Sequence, residues 1–173
     1  MKPAARARKR PARCVDPTRE ISYPGAMQET VERDLAEVRL SNERFYRALT
    51  SLDIDEMDAV WAHEEGARCI HPGWEVIAGW DVIRQSWDII FSNTASLRVE
   101  PSQVSVRLEG DMAWVSCLES IASGPEDDSV TMARATNLFV RTSDGWKMIL
   151  HHASQVPADT EDSDDDDGGA LIH

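Results

Sequence analysis

RCIHPGWEVIAGW, residues 68–80, stands where the chain changes its periodicity. Residues 67–70 read as a short strand, His71-Pro72-Gly73-Trp74 as a turn and residues 75–78 as a returning strand. Gly79 ends that strand, and Trp80, Ile83, Trp87 and Ile90 then follow helical spacing, which predicts a helix over about 80–91. A strand–turn–strand needs neither an imidazole nor an indole at its turn. A ligand pocket has a use for both, His71 as a polar tip and Trp74 as a wall.

Working upstream, Val31, Leu35, Val38, Phe45 and Leu49 share one helical face, interrupted by Asn42, and predict a first helix over about 28–50. Asp53-x-x-Glu56 is a capping-box pattern ahead of Met57, Val60 and Trp61, which predicts a second helix over about 54–63. Downstream the period switches to two. Leu97 and Val99 alternate, then Val104, Val106 and Leu108, and a turn at Glu109-Gly110-Asp111 leads into strands over 112–123, 130–142 and 146–154. Residues 95–154 therefore read as an antiparallel meander. Three N-terminal helices packed on a curved antiparallel sheet make an α+β fold, and a curved sheet leaning on a long helix leaves a cone-shaped hollow suited to small molecules.

The 173 residues amount to one domain with tails, and 42% hydrophobic content supplies a core. We divide the chain into a basic leader over 1–26, an α+β domain over 27–157 and an acidic tail over 158–173. The leader carries Lys2, Arg6, Arg8, Lys9, Arg10 and Arg13 with Pro3, Pro11, Pro17 and Pro24 and no apolar period. It reads as a solvated arm. A targeting peptide, a nucleic-acid-binding arm and a start upstream of the true Met27 are its alternatives. The net charge is −13, and it stays strongly negative without the two tails, so the folded part is not expected to bind nucleic acid. No apolar run reaches the roughly 18 residues of a membrane span. Cys14, Cys69 and Cys117 are scattered and odd in number, which points to a reducing, cytoplasmic setting without disulfides or a cysteine zinc site.

The residues from about 30 to 157 resemble the nuclear transport factor 2-like superfamily, in its SnoaL-like branch. The resemblance is carried by Arg44-Phe45-Tyr46-Arg47-Ala48-Leu49, Asp53-Ile54-Asp55-Glu56-Met57, His71-Pro72-Gly73, Gly79-Trp80-Asp81-Val82-Ile83, Gly110-Asp111-Met112-Ala113-Trp114-Val115, and the closing run from Asp144 to Ser154. It implies a cone-like α+β barrel that forms homodimers through its outer sheet face, and no particular chemistry. Members similar to ketosteroid isomerase use a tyrosine on the first helix, a carboxylate base before a proline and a second acid on a later strand. On this chain those positions fall at Phe45, at His71 and near Asn137. Phe45 has no hydroxyl, although Tyr46 is adjacent. His71 suits proton transfer near neutrality, because its unperturbed pKa is about 6.5.

The resemblance aims His71 into the cavity and puts Trp61, Trp74 and Trp114 in its walls. Trp87 and Trp146 read as core. In the last strand, alternation groups Trp146, Met148, Leu150, His152 and Ser154, so His152 is expected inside and His151 on the outer face, with Asn137 and Phe139 on the neighbouring strand. His63-Glu64 reads as a solvated helix end, and Arg134 as an outward ion pair. The histidines have neither H-x-H nor H-x-x-x-H spacing, so no metal is expected, and no cofactor motif is present.

These features lead to a domain that binds a small apolar or aromatic molecule. The candidate site is His71 and His152, with Trp61, Trp74, Trp114, Asn137 and Tyr46 as ligand contacts. The alternatives are a cofactor-free isomerase, cyclase or lyase with His71 as general base, and a homodimeric scaffold.

Overall fold

The computed structural model describes residues 25–124 and 130–156. The leader up to residue 24, the hairpin tip at 125–129 and the acidic tail lie outside the described residues. The elements run α1 Gly25–Ser51, α2 Ile54–Val60, β1 Arg68–Ile70, β2 Ile77–Ala78, α3 Trp80–Asn93, β3 Leu97–Glu109, β4 Met112–Ser123, β5 Thr131–Thr142 and β6 Gly145–Gln155. Among the described residues, no helix is long and apolar enough to cross a membrane.

The six strands form one sheet in the order β2-β1-β6-β5-β4-β3. The meander from β3 to β6 is antiparallel, as its turn signals require. The small β1–β2 hairpin adds to it by a parallel pairing of β1 with β6, so the sheet is mixed. Two irregularities bend the long strands. One lies in β3 between Ser102 and Ser105, where Gln103 takes a positive φ of 52° and accepts a bond from Arg134. The other lies between β5 and β6, where Phe139 faces Met148 but Leu138 faces Leu150, leaving Ile149 as an extra residue.

The concave face of this sheet receives α1, α2 and α3. Val38, Phe45, Ala48 and Leu49 of α1 are buried, as their spacing requires, together with Met57 and Val60 of α2 and Ile83, Trp87 and Phe91 of α3. Asp53 caps α2 by accepting from the Asp55 and Glu56 amides. Glu56 does not complete the capping box and instead takes a bond from Arg47 at 2.9 Å. Near the open N-terminal half of α1, buried Asp34 receives the Arg141 guanidinium in a paired contact, and that guanidinium also lies 4.5 Å above the Trp146 ring. This clamp ties α1 to the β5–β6 hairpin.

Candidate functional site

A cavity of about 230 Å³ opens between α1, α3 and the concave sheet face. Leu49, Ile90, Leu97, Val99 and Ile121 supply its apolar walls, with Trp87 behind them. His71, Glu119 and His151 bring its ionisable groups. Pro72 and Trp74 form its lip, where Gly73 holds φ at +80° and lets the chain turn directly after the histidine.

Each polar group reaches the cavity for a local reason. His71 follows β1, whose Cys69 side chain is fully buried beside it. The Ser86 hydroxyl donates to the Ile83 carbonyl at 2.7 Å, so its lone pair receives the Nε2–H of His71 at 3.0 Å. That fixes the tautomer and leaves Nδ1 as the unprotonated nitrogen, 3.8 Å from the Cys69 sulfur. The ring is held edge-on between Trp74 and Trp87, with centroids 4.9 and 4.4 Å away. Burial pushes its pKa down to about 4, so the imidazole is neutral.

His151 sits opposite Asn137 across the β5–β6 pair and opposite Cys69 across the parallel pair. Asn137 is fully buried. Its Nδ2 donates to Asn42 Oδ1 at 2.8 Å and, more weakly, to the Tyr46 hydroxyl at 3.4 Å. Its Oδ1 therefore accepts from His151 Nδ1–H, at 2.7 Å. Burial, and then the neighbouring His71 and His152, lower the His151 pKa to about 3.

Glu119 continues the inward row of β4 after Ala113, Val115 and Cys117. Its neighbour across β5 is the small Ala133, and its carboxylate reaches α1 instead, accepting from Tyr46 at 2.8 Å. The Tyr46 oxygen in turn lies 3.0 Å from the Cys117 thiol. Burial raises the Glu119 pKa to about 7 against the opposing pull of the Tyr46 bond, and burial holds the Tyr46 phenol well above its ordinary range. The result is a continuous chain of hydrogen bonds, His151 to Asn137 to Tyr46 to Glu119, with both ends on the cavity.

At those ends, His151 Nε2 and Glu119 Oε2 make no hydrogen bond among the described residues. The buried side-chain nitrogens and oxygens left unpaired there are Trp87 Nε1 and Trp146 Nε1 alone. His151 Nε2 and Glu119 Oε2 are thus open to the cavity. At neutral pH the site presents two neutral imidazoles and one carboxyl that exchanges its proton near pH 7. No cluster of three or more His, Cys, Asp or Glu side chains is arranged for a metal among the described residues.

His71, Trp74, Tyr46 and Asn137 are gathered at or around this cavity. His152 is not. It is exposed and bonded to Ser154, and the inward place expected for it belongs to His151, which is 3% exposed. The extra residue Ile149 shifts the alternation by one, so every side chain after it changes face. Trp114 also departs from expectation. It lies 39% exposed on the outer sheet face, in phase with Met112. Trp61 is buried in the core rather than in the cavity wall, stacked on Trp80 and bonded to the Met57 sulfur. Arg134 points outward, to Gln103 rather than to an acid. Glu119 and Ser86 join the site without being expected there from the sequence. Glu119 had a signal, a lone carboxylate in the inward phase of an alternating strand. Ser86 had none.

Three helices packed on a curved sheet in this order make the α+β fold of the nuclear transport factor 2-like proteins. The chain belongs to the SnoaL-like domain family, whose pattern matches residues 38–159. It is similar to a provisionally named dehydratase of the NTF2-like family from Streptomyces avermitilis, with 34% identity and a TM-score of 0.70 over 74% of this chain and 99% of that one. It also resembles a provisionally named calcium/calmodulin-dependent protein kinase type II association domain from Thiobacillus denitrificans, with 30% identity and a TM-score of 0.63, covering 68% of this chain and 93% of that chain. The F-box protein SKIP8 of Arabidopsis thaliana is 25% identical over 122 residues, which are 69% of this chain and 50% of SKIP8. The chain thus spans half the length of that curated relative.

Proposed function

We propose that this domain binds a small, neutral, largely apolar molecule that carries a hydroxyl group. The observation that carries this reading is a pair of hydrogen-bonding atoms, the acceptor His151 Nε2 and Glu119 Oε2, which accepts once its carboxyl is ionised, open to a cavity otherwise walled mainly by apolar side chains. The tautomers set by Ser86 and Asn137 leave the imidazoles with lone pairs rather than N–H groups to offer. A phenol or alcohol satisfies them. A carboxylate does not, and the acidic chain repels it. Trp74 at the lip suits a flat ring.

Glu119 favours a second reading, acid–base catalysis of the isomerase or lyase type without a cofactor. A carboxyl with a pKa near 7, linked through Tyr46 to the opposite wall, both gives and takes a proton at neutral pH. In this reading His71 acts through Nδ1 and His152 takes no part. The similarity to a dehydratase supports it. The outer sheet face, with Trp114 and Met112 exposed, suits a homodimer, and the buried thiols of Cys69 and Cys117 suit the cytoplasm.

The binding reading is tested by thermal shift with phenol and 2-naphthol against benzoate and 2-naphthoate, in the full chain at about pH 8, where Glu119 is ionised and the phenols are neutral. The phenols should raise the melting temperature in proportion to their occupancy while the acids leave it unchanged. Stabilisation by the acids alone, or by none of the four, refutes it.

A further inference from the structure

A second hollow lies on the outside of α3. It is an open groove of about 360 Å³, lined by Trp74, Val76, Ile77, Val82, Ser86 and Ile89 among others. Four of these are large apolar side chains left open to solvent: Trp74 at 50%, Val76 at 58%, Val82 at 53% and Ile89 at 51% exposure. Surface apolar residues grouped in this way mark a binding surface more often than chance exposure.

The groove and the inner cavity share a wall one side chain thick. Trp74 lines both. Ser86 lines the groove, and its hydroxyl holds His71, which lines the cavity. The Trp74 backbone is fixed by its amide, which donates to the His71 carbonyl at 2.9 Å. Its ring, half exposed, rests edge-on against His71. The inner cavity alone falls below the roughly 300–1,000 Å³ usual for small-molecule sites, whereas the two hollows together fall inside that range.

We propose that the groove is the second compartment of the same site and takes the aliphatic tail of a ligand whose hydroxyl-bearing head lies in the inner cavity, with Trp74 packing where head and tail join. The proposal rests on the binding reading above and names its ligand class more closely: an alkyl-substituted phenol or alcohol. Glu75 is the groove's one charged lining residue. It repels an anionic headgroup, so the polar end of the ligand is neutral.

The test is calorimetric titration of the full chain with phenol, 4-ethylphenol, 4-butylphenol and 4-hexylphenol. Affinity should rise roughly three- to fourfold for each methylene that the groove buries. Val82→Asp and Ile89→Asp replace half-exposed side chains and should flatten that rise while leaving phenol affinity unchanged. If phenol binds but the longer chains gain nothing, or gain equally in both variants, the groove proposal is wrong and the cavity reading stands. If no phenol binds, both fall. The mass of each variant in solution completes the test. An unchanged oligomeric state is expected, and a shift to a smaller species would show that a second copy covers the groove, which overturns the proposal.

Discussion

Two buried polar clusters brace α1 against the sheet, and they are built on opposite plans. Toward its N-terminal end, Asp34 and Arg141 form a paired ionic contact that Asp111 and the Trp146 ring support from outside. About two turns further along, Asn42 and Tyr46 join Asn137, His151 and Glu119 through neutral hydrogen bonds. The ionic cluster keeps its cation a third exposed, so its charges are partly solvated. The inner cluster is buried. Its groups lose their charge instead, and protonation becomes sensitive near neutral pH. Both hold the helix in place. Only the second leaves hydrogen-bonding groups open to a cavity.

The comparison breaks most sharply at Asn137, which serves three partners at once. Asn137→Leu keeps the branched shape of the side chain but strands Asn42 and His151 in the interior, while Tyr46 keeps Glu119, at about 1–3 kcal/mol for each group that finds no other partner. A loss of roughly 3 kcal/mol is expected from urea unfolding. A loss below about 1 kcal/mol would mean that water reaches the cluster and that it is not dry.

Next comes the pH dependence. The folded Glu119 carboxyl keeps its proton up to about pH 7 against an ordinary value of 4.5, so the fold binds the extra proton and stability falls as pH rises through that window. His71 and His151 act the other way. Unfolded, they take protons below 6.5. Folded, they do so only below about 4 and about 3, so stability rises with pH through that range. These contributions put the wild-type maximum near pH 6.5. Glu119→Gln should match the wild type at pH 4, remove the decline above 6.5 and exceed it at pH 8 by roughly 3 kcal/mol. Melting curves at the two pH values measure this, and parallel profiles for both proteins would contradict a raised Glu119.

The same contrast explains what the sequence discloses. Helix α1 is legible because Val38, Phe45 and Leu49 keep one period from end to end. The sheet is legible because Gly110-Asp111 and Asp144-Gly145 mark its turns. His71 and Trp74 are conspicuous beside Pro72 and Gly73. The second half of β6 is not legible. Its bulge at Ile149 is marked by no glycine or proline, and strict alternation carried past it exchanges His151 for His152. The resemblance, not its phase, puts Trp114 in a cavity wall, and counting inward from Val115 and Cys117 puts it outside. Glu119 falls inward on that same count, but a lone glutamate in a strand carries no sign that the residue across from it is an alanine.

The ionic cluster sets the smallest effect. Asp34→Asn removes one charge and keeps an acceptor for Arg141. The guanidinium retains Asp111 at 3.3 Å and the indole face of Trp146, and its partial exposure lets water take up the rest. Removing one partner of a fully buried pair costs about 3–5 kcal/mol, and solvent screening brings the expectation here to about 1–2 kcal/mol. Salt separates the two plans. Raising ionic strength from 0.05 to 0.5 M, values chosen to span the roughly 10 Å screening length at 0.1 M, should narrow the gap between wild type and Asp34→Asn but leave the gap between wild type and Asn137→Leu unchanged. An equal salt response in both variants would mean that the two clusters do not differ in the way their charges are held.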